Sequence, residues 1–198
     1  MPDILSTPPD AGKECNEHAA LLRRVAKRGN PDYSVGHRRM YGSMIELLRG
    51  DPCSILEVGF GVGYGMGLMS KQLVISSYEG VEPHPDSFKY ASEQLALGEW
   101  KFIMPIKLHQ CYWSEAVVSP ADYTFCIEVI EHVPEAALSD FLWKLRRNTR
   151  KNLFLSTPDS AKSAHGVKTQ AEWVETLRRH GFTAVAVAHQ WTTLFVCS

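Results

Sequence analysis

A glycine-rich segment, residues 55–65, is the clearest candidate for chemistry in this chain. It reads Ile-Leu-Glu-Val-Gly-Phe-Gly-Val-Gly-Tyr-Gly, so that the acidic residue Glu57 is followed by Gly59, Gly61 and Gly63. Glycines in such a turn let the backbone approach a ligand closely and leave the amide groups of the next helix facing it. In no register does the segment satisfy G-x-G-x-x-G, the fingerprint of dinucleotide binding. The spacing therefore predicts a ligand-binding turn with no pyrophosphate to hold.

A second candidate lies further along the chain, where Glu128, Glu131 and His132 are spaced i, i+3 and i+4. If this stretch turns helically, the three side chains point the same way. Two carboxylates and an imidazole are suitable ligands for a divalent metal ion, so the spacing predicts a metal site. The alternative is structural: Glu131 and Glu135 favour a helix N-terminus through its dipole, and His132 makes a local hydrogen bond.

Hydrophobic patterning places both candidates in an alternating series of strands and helices. Helical spacing of apolar residues separates most of the strands, which predicts an α/β fold with a doubly wound, mostly parallel, seven-stranded sheet. The last two strands have no helix between them, which predicts one antiparallel edge strand. Ligands bind such sheets at the carboxyl ends of the strands, where both candidates lie. The predicted strands are residues 54–58, 75–82, 102–108, 122–127, 152–156, 183–189 and 192–197.

The region before the first strand is predicted to be helical. Residues 1–12 contain prolines and a glycine, which is typical of a flexible leader, and residues 13–198 are predicted to form one domain. Within it, residues 13–50 are predicted to form two helices that act as a lid over the site.

Composition limits the kinds of protein this can be. The 198 residues carry a formal net charge of −1, so no overall field attracts nucleic acid or an anionic membrane. The five cysteines include no C-x-x-C pair, which favours reduced thiols over a disulfide framework. With no signal peptide and no long apolar run recognised, we expect a cytoplasmic protein that does not enter membranes.

The glycine-rich segment resembles the first motif of the class I (Rossmann-like) S-adenosylmethionine (SAM)-dependent methyltransferases. Residues 55–63 match its pattern of hydrophobic, hydrophobic, acidic, hydrophobic, Gly-x-Gly-x-Gly without a gap. The resemblance implies that Gly59, Gly61 and Gly63 hold SAM, with Glu57 nearby. It also implies that Glu82, at the end of the second strand, accepts hydrogen bonds from the ribose hydroxyls. Cys111 and Tyr112 follow the third strand, where the family contacts adenine.

Residues 128–133, Glu-Val-Ile-Glu-His-Val, resemble a segment of two methyltransferase groups that modify hydroxyls. These are the ubiquinone-pathway O-methyltransferases and the small-RNA 3′-terminal 2′-O-methyltransferases. The resemblance implies that Glu128, Glu131 and His132 bind Mg²⁺ or another divalent metal ion, with His165 as a fourth ligand. It also makes Glu128, His132 and His165 candidate catalytic residues.

We therefore expect a SAM-dependent methyltransferase that methylates the hydroxyl group of a small molecule, with a divalent metal ion as a candidate aid. Two alternatives stay open. One is an RNA-terminal 2′-O-methyltransferase, for which the near-neutral charge is unfavourable. The other is a regulatory or accessory protein that binds SAM without catalysis. The sequence leaves the oligomeric state open.

Overall fold

The computed structural model describes residues 35–48, 50–100, 102, 104–158, 168–188 and 192–198. The predicted leader, residues 13–34 of the predicted lid and the candidate ligand His165 lie outside these ranges. The predicted domain boundaries therefore stay predictions.

Within these ranges, seven strands form a single sheet, as the sequence predicts. In the spatial order β3-β2-β1-β4-β5-β7-β6, the first five strands are mutually parallel. Strand order therefore reverses between β1 and β4, which creates a crevice at their carboxyl ends. The strands are β1 (Cys53–Val58), β2 (Ile75–Val81), β3 (Ile106–His109), β4 (Ala121–Cys126), β5 (Thr149–Pro158), β6 (Ala184–Ala188) and β7 (Thr192–Cys197).

The antiparallel strand is β7, which pairs with β5 on one side and with β6 on the other. The closing hairpin thus forms the antiparallel edge of the sheet that the sequence predicts, with β6 outermost and β7 one position in. The reason is the connection: the chain leaves β5 and returns through a helix to β6, one place further out. The hairpin then turns β7 back into the gap between them.

In the described part of the chain, five helices and one short 3₁₀ turn cover the two faces of the sheet. They are α1 (Val35–Leu48), α2 (Tyr64–Gln72), α3 (Pro85–Ala96), α4 (Glu135–Asn148), α5 (Gln170–Arg179) and the 3₁₀ turn Ile130–His132. None of the described helices is long and apolar enough to span a membrane.

Each face of the sheet has its own hydrophobic core. Successive side chains of a strand point to opposite faces, so Ile55 enters the core under α1, α2 and α3, while Leu56 enters the core under α4 and α5. Both side chains are at most 1% exposed. Because both faces are covered, β1 is buried along its whole length, and the turn that follows it starts from a rigid support.

Candidate functional site

The glycine turn follows β1 directly and lies at the reversal of strand order. Gly59, Gly61 and Gly63 all have positive φ, at 74°, 56° and 80°. Residues with a Cβ atom rarely adopt these angles, so this backbone path requires glycine. The amide of Gly59 donates to the carbonyl of Val81 at 2.7 Å, which fixes the turn to the end of β2.

The three glycines have different surroundings. A Cβ atom on Gly59 would lie 2.3 Å from Cγ2 of Val129, and one on Gly63 would lie 2.2 Å from the ring of Trp100. A Cβ atom on Gly61 would meet no described atom within 4 Å. Packing therefore accounts for Gly59 and Gly63, whereas Gly61 leaves room that a ligand could fill.

Glu82 lies next to Gly61, so two of the residues predicted to bind SAM adjoin. Its side chain is only 3% exposed. One carboxylate oxygen accepts a hydrogen bond from the amide of Gly61 and the other accepts one from the amide of His84, both at 2.8 Å. The carboxylate is thereby fixed at the carboxyl end of β2, beside the open face of the turn.

Glu57 is held from beneath the turn. Its carboxyl group is 2% exposed and accepts hydrogen bonds from the hydroxyl groups of Tyr41, at 2.8 Å, and of Tyr78. Burial raises the pKa of Glu57 to about 7, although both tyrosine hydrogen bonds act to lower it. Both oxygens therefore have partners within the protein, and a Cβ atom on Gly65 would lie 2.5 Å from one of them. This geometry supports the turn rather than presenting the carboxyl group to a ligand.

The two tyrosines are functional neighbours that the sequence analysis missed. Tyr41 belongs to the apolar stripe of α1, and Tyr78 lies inside β2, so each is typical of a core residue. The hydroxyl groups find Glu57 only because α1 packs over β1 and because β2 pairs with β1 in register. The sequence signal that could have predicted such partners is an acidic residue within an otherwise apolar strand, because a carboxyl group buried there needs hydrogen bonds.

Cys111 and Tyr112, the predicted adenine contacts, follow β3 at the same edge of the sheet as Glu82. The amide of Glu82 donates to the carbonyl of His109 at 3.0 Å, so the ends of β2 and β3 adjoin. Cys111 is half-buried and Tyr112 is 39% exposed. The location agrees with the prediction, but the contact with adenine itself stays a prediction.

Glu128 has an unusual backbone. It is the only described residue other than glycine with positive φ, at 56°. Its amide donates to Oγ of Ser156 at 2.8 Å, and its Oε1 accepts hydrogen bonds from the hydroxyl groups of Ser156 at 3.0 Å and Thr192 at 2.9 Å. The side chain is therefore held towards the carboxyl end of β5 and the start of β7.

The structure does not bring Glu128, Glu131 and His132 together as the three described members of one metal site. The helical turn begins only at Ile130, so Glu128 does not share its periodicity. Burial raises the pKa of the Cys126 thiol, and the nearby buried Glu131 raises it further, whereas His132 is exposed. Among the residues that the structure describes, no group of three or more His, Cys, Asp or Glu side chains is arranged to hold a metal ion. These residues do not fit the predicted metal site.

Comparisons with known proteins place this architecture. No protein-family profile and no curated protein matches the sequence. Solved structures do match. A SAM-dependent methyltransferase from Aquifex aeolicus has a TM-score of 0.67 at 14% identity, over 88% of this chain and 96% of that one. The methyltransferase domain of a bacterial CtHen1 has a TM-score of 0.66 at 18% identity, over 82% and 98%.

A third match is 1,6-didemethyltoxoflavin-N1-methyltransferase from Burkholderia thailandensis, solved with S-adenosylhomocysteine (SAH). Its TM-score is 0.65 at 19% identity, over 100% of this chain and 92% of that one. The chain has the class I methyltransferase fold. Within this fold, the described site divides at the strand reversal: Gly61 and Glu82 lie on the β1 and β2 side, and Glu128 lies on the β4, β5 and β7 side.

Proposed function

We propose that this protein is a SAM-dependent methyltransferase that acts on a hydroxyl group of a small molecule. The observation that carries the proposal is the pairing of the open face of Gly61 with the buried carboxylate of Glu82 in a class I methyltransferase fold. A nucleoside needs both features: a close backbone approach and a carboxylate for its two ribose hydroxyl groups.

The residues that are brought together fit the cofactor. Gly61 offers bare backbone, Glu82 offers two carboxylate oxygens, and Cys111 and Tyr112 flank the place where adenine is expected. SAM supplies a methyl group on a positively charged sulfur, and the protein's part is to bind and orient the two reactants. Glu57 supports the turn through Tyr41 and Tyr78, so its effect on the cofactor is indirect.

On the acceptor side, Glu128 is the candidate whose side chain is held in place by hydrogen bonds. His132 is exposed, and His165 lies outside the described residues; both stay candidates for accepting the proton of the hydroxyl group. Because the described acidic residues do not fit a metal ion, we assign no step to one.

The net charge of −1 supports a small-molecule acceptor over a polyanion. The four cysteines in the described part of the chain are free, which supports a reducing compartment, and we propose the cytoplasm.

One specific observation favours an alternative, RNA-terminal 2′-O-methylation. Residues 128–133 resemble the segment of RNA methyltransferases, and the chain matches the CtHen1 domain in fold. That alternative predicts chelator-sensitive methylation of RNA ends. The second alternative, a SAM-binding regulatory protein, predicts SAH binding without any production of SAH from SAM.

The cofactor pocket can be tested with a matched pair of glycine substitutions. Gly61 and Gly98 both have positive φ and both have open space where a Cβ atom would lie, but Gly98 lies after α3, away from the crevice. Alanine at either position should cost about 1 kcal/mol of stability through backbone strain. Only Gly61→Ala should weaken SAH binding, by about tenfold or more, because its methyl group occupies ligand space. Isothermal titration calorimetry with SAH measures this.

Equal SAH affinity in Gly61→Ala, Gly98→Ala and the wild type would mean that the cofactor pocket is elsewhere. Failure of the wild-type protein to bind SAH at all would remove the enzyme proposal. A Glu82→Ala variant gives an independent check, since it should lose SAH affinity although Gly61 is intact.

A further inference from the structure

The backbone of Glu128 is held in a conformation that side-chain residues disfavour. At φ 56° it lies in the left-handed region, where glycine or asparagine is the usual occupant. Such strain persists only when the surrounding structure enforces it, and it concentrates at functional sites. The effect here is to turn the side chain away from the 3₁₀ helix that follows and towards β5 and β7.

Hydroxyl groups of two neighbouring strands fix the carboxylate in that direction. Ser156 is fully buried at the end of β5, and it both accepts the amide of Glu128 and donates to Oε1. The hydroxyl group of Thr192, at the start of β7, lies 2.9 Å from the same oxygen and shares its one hydrogen between Oε1 and the carbonyl of Thr157, at 2.5 Å. Within the described residues, the hydrogen bonds to this carboxylate go to Oε1. Oε2 is therefore the oxygen left to meet a ligand.

The location of this carboxylate is the acceptor half of the crevice. Val129, the next residue, packs directly on Gly59 of the glycine turn, so Glu128 lies beside the turn. It lies across the strand reversal from Glu82, because β4 and β2 are on opposite sides of β1. A molecule held by Gly61 and Glu82 leaves the carboxyl ends of β4 and β5 and the start of β7 free for its reaction partner.

We propose that the Glu128 carboxylate binds the methyl acceptor directly, without a metal ion, by accepting a hydrogen bond from the hydroxyl group that receives the methyl. As the hydroxyl oxygen takes the methyl group from the sulfur of SAM and SAH is left, the hydroxyl proton passes to this carboxylate, from which water or one of the candidate histidines removes it. Ser156 and Thr192 are then positioning residues, which act through Glu128. This inference rests on the proposed function, and it deepens it by naming the acceptor contact. It also explains why the three acidic and imidazole groups predicted to share a metal ion are separated.

Sinefungin tests the inference without knowledge of the acceptor. This SAM analogue carries an amino group, protonated at neutral pH, where SAM carries the methyl group, whereas SAH carries nothing there. A carboxylate facing that position should favour sinefungin over SAH by about fivefold, as expected for a partly solvated charge pair. Glu128→Gln should abolish the preference while retaining SAH binding. Ser156→Ala and Thr192→Val should reduce the preference, because Oε1 loses its support.

Two controls keep the outcome clear. Glu135→Gln removes a carboxylate from an exposed position on the neighbouring helix and should leave the sinefungin preference unchanged. Glu128→Asn removes the charge but suits the left-handed backbone, so it replaces Glu128→Gln if that variant folds poorly. EDTA or added Mg²⁺ should also leave the preference unchanged, since a bound metal ion would offset the negative charge.

A preference that survives in both Glu128 variants, or that is missing from the wild type, would overturn the inference. A preference that rises on adding EDTA would show that a metal ion occupies the carboxylate and would also overturn it. Failure of the wild type to bind both SAH and sinefungin is a different result, because it would remove the proposed function instead.

Discussion

Burial of the Glu57 carboxyl group lowers the stability of the folded protein when that group is charged. It is buried beneath the glycine turn, where the charged form is disfavoured, and the tyrosine hydroxyl groups offset only part of that penalty. The native protein therefore keeps this proton to a higher pH than the unfolded chain does. Linkage requires that such a group make the protein less stable as the pH rises.

We predict that the unfolding free energy falls between about pH 4.5 and pH 7 and that Glu57→Gln flattens this fall. Below pH 4.5 both states hold the proton, and above the native pKa of about 7 both lose it, so the change lies between these values. Its size is about 3 kcal/mol, from a shift of about 2.5 pH units. Urea denaturation across this range measures it. The exposed variant Glu93→Gln should retain the wild-type slope, and an equally steep slope in Glu57→Gln would contradict the assignment.

For individual residues, the sequence predicts those whose role depends on residue type and local spacing. Gly61 and Glu82 meet because each follows a parallel strand directly. The partners of Glu57 could not be predicted in the same way, because Tyr41 and Tyr78 reach it through helix packing and strand pairing. The direction of Glu128 depends on a single φ angle, which no spacing rule reveals.

Among the elements, the existence and order of strands follow from hydrophobic patterning, but their limits do not. The third strand was predicted from residue 102 and begins at Ile106. Phe102 and Met104 are apolar because they pack against the core from the connecting segment, not because they pair in the sheet. A similar confusion affected residues 128–132, where helical spacing is present but the helical turn starts late.

Because Trp100 packs against helix α2, we expect a glycine-to-alanine substitution in that helix to have an unusual effect on stability. Replacing glycine by alanine inside a helix normally stabilises it by about 1 kcal/mol. In α2, a Cβ atom on Gly67 would lie 2.7 Å from the indole nitrogen of Trp100. We expect Gly67→Ala to destabilise the protein by roughly 1–3 kcal/mol, because the ring has to move within a packed core. Chemical denaturation measures this.

The matched control is Gly42→Ala in α1, where a Cβ atom would meet no described atom within 4 Å. It should show the ordinary gain of about 1 kcal/mol. If both variants gain stability, Trp100 does not restrict α2 as described.

For the molecule as a whole, β6 is the outermost strand at one side of the described sheet. Its residues Val185 and Val187 are 63% and 42% exposed. An apolar edge strand offers free backbone groups and hydrophobic side chains to another chain, which makes it the expected starting point for association.

We expect Val185→Lys to reduce association on heating, as followed by light scattering, because a lysine on an edge strand opposes pairing. The unfolding free energy should change by no more than about 0.5 kcal/mol, since the side chain is exposed. Val117→Lys is the control: this residue is 88% exposed but lies in a loop, so its substitution should leave association unchanged. Equal effects of the two lysines would point to net charge instead of the edge.

The strand order described above also divides the chain into two kinds of sequence. Glu57, Gly61 and Glu82 come from one short continuous stretch, whereas Glu128, Ser156 and Thr192 come from three stretches far apart in the chain. Variation in the later stretches can therefore alter which molecule is accepted while the earlier stretch stays untouched. A laboratory seeking a new acceptor would randomise positions after β4 and β5 and hold residues 53–82 constant.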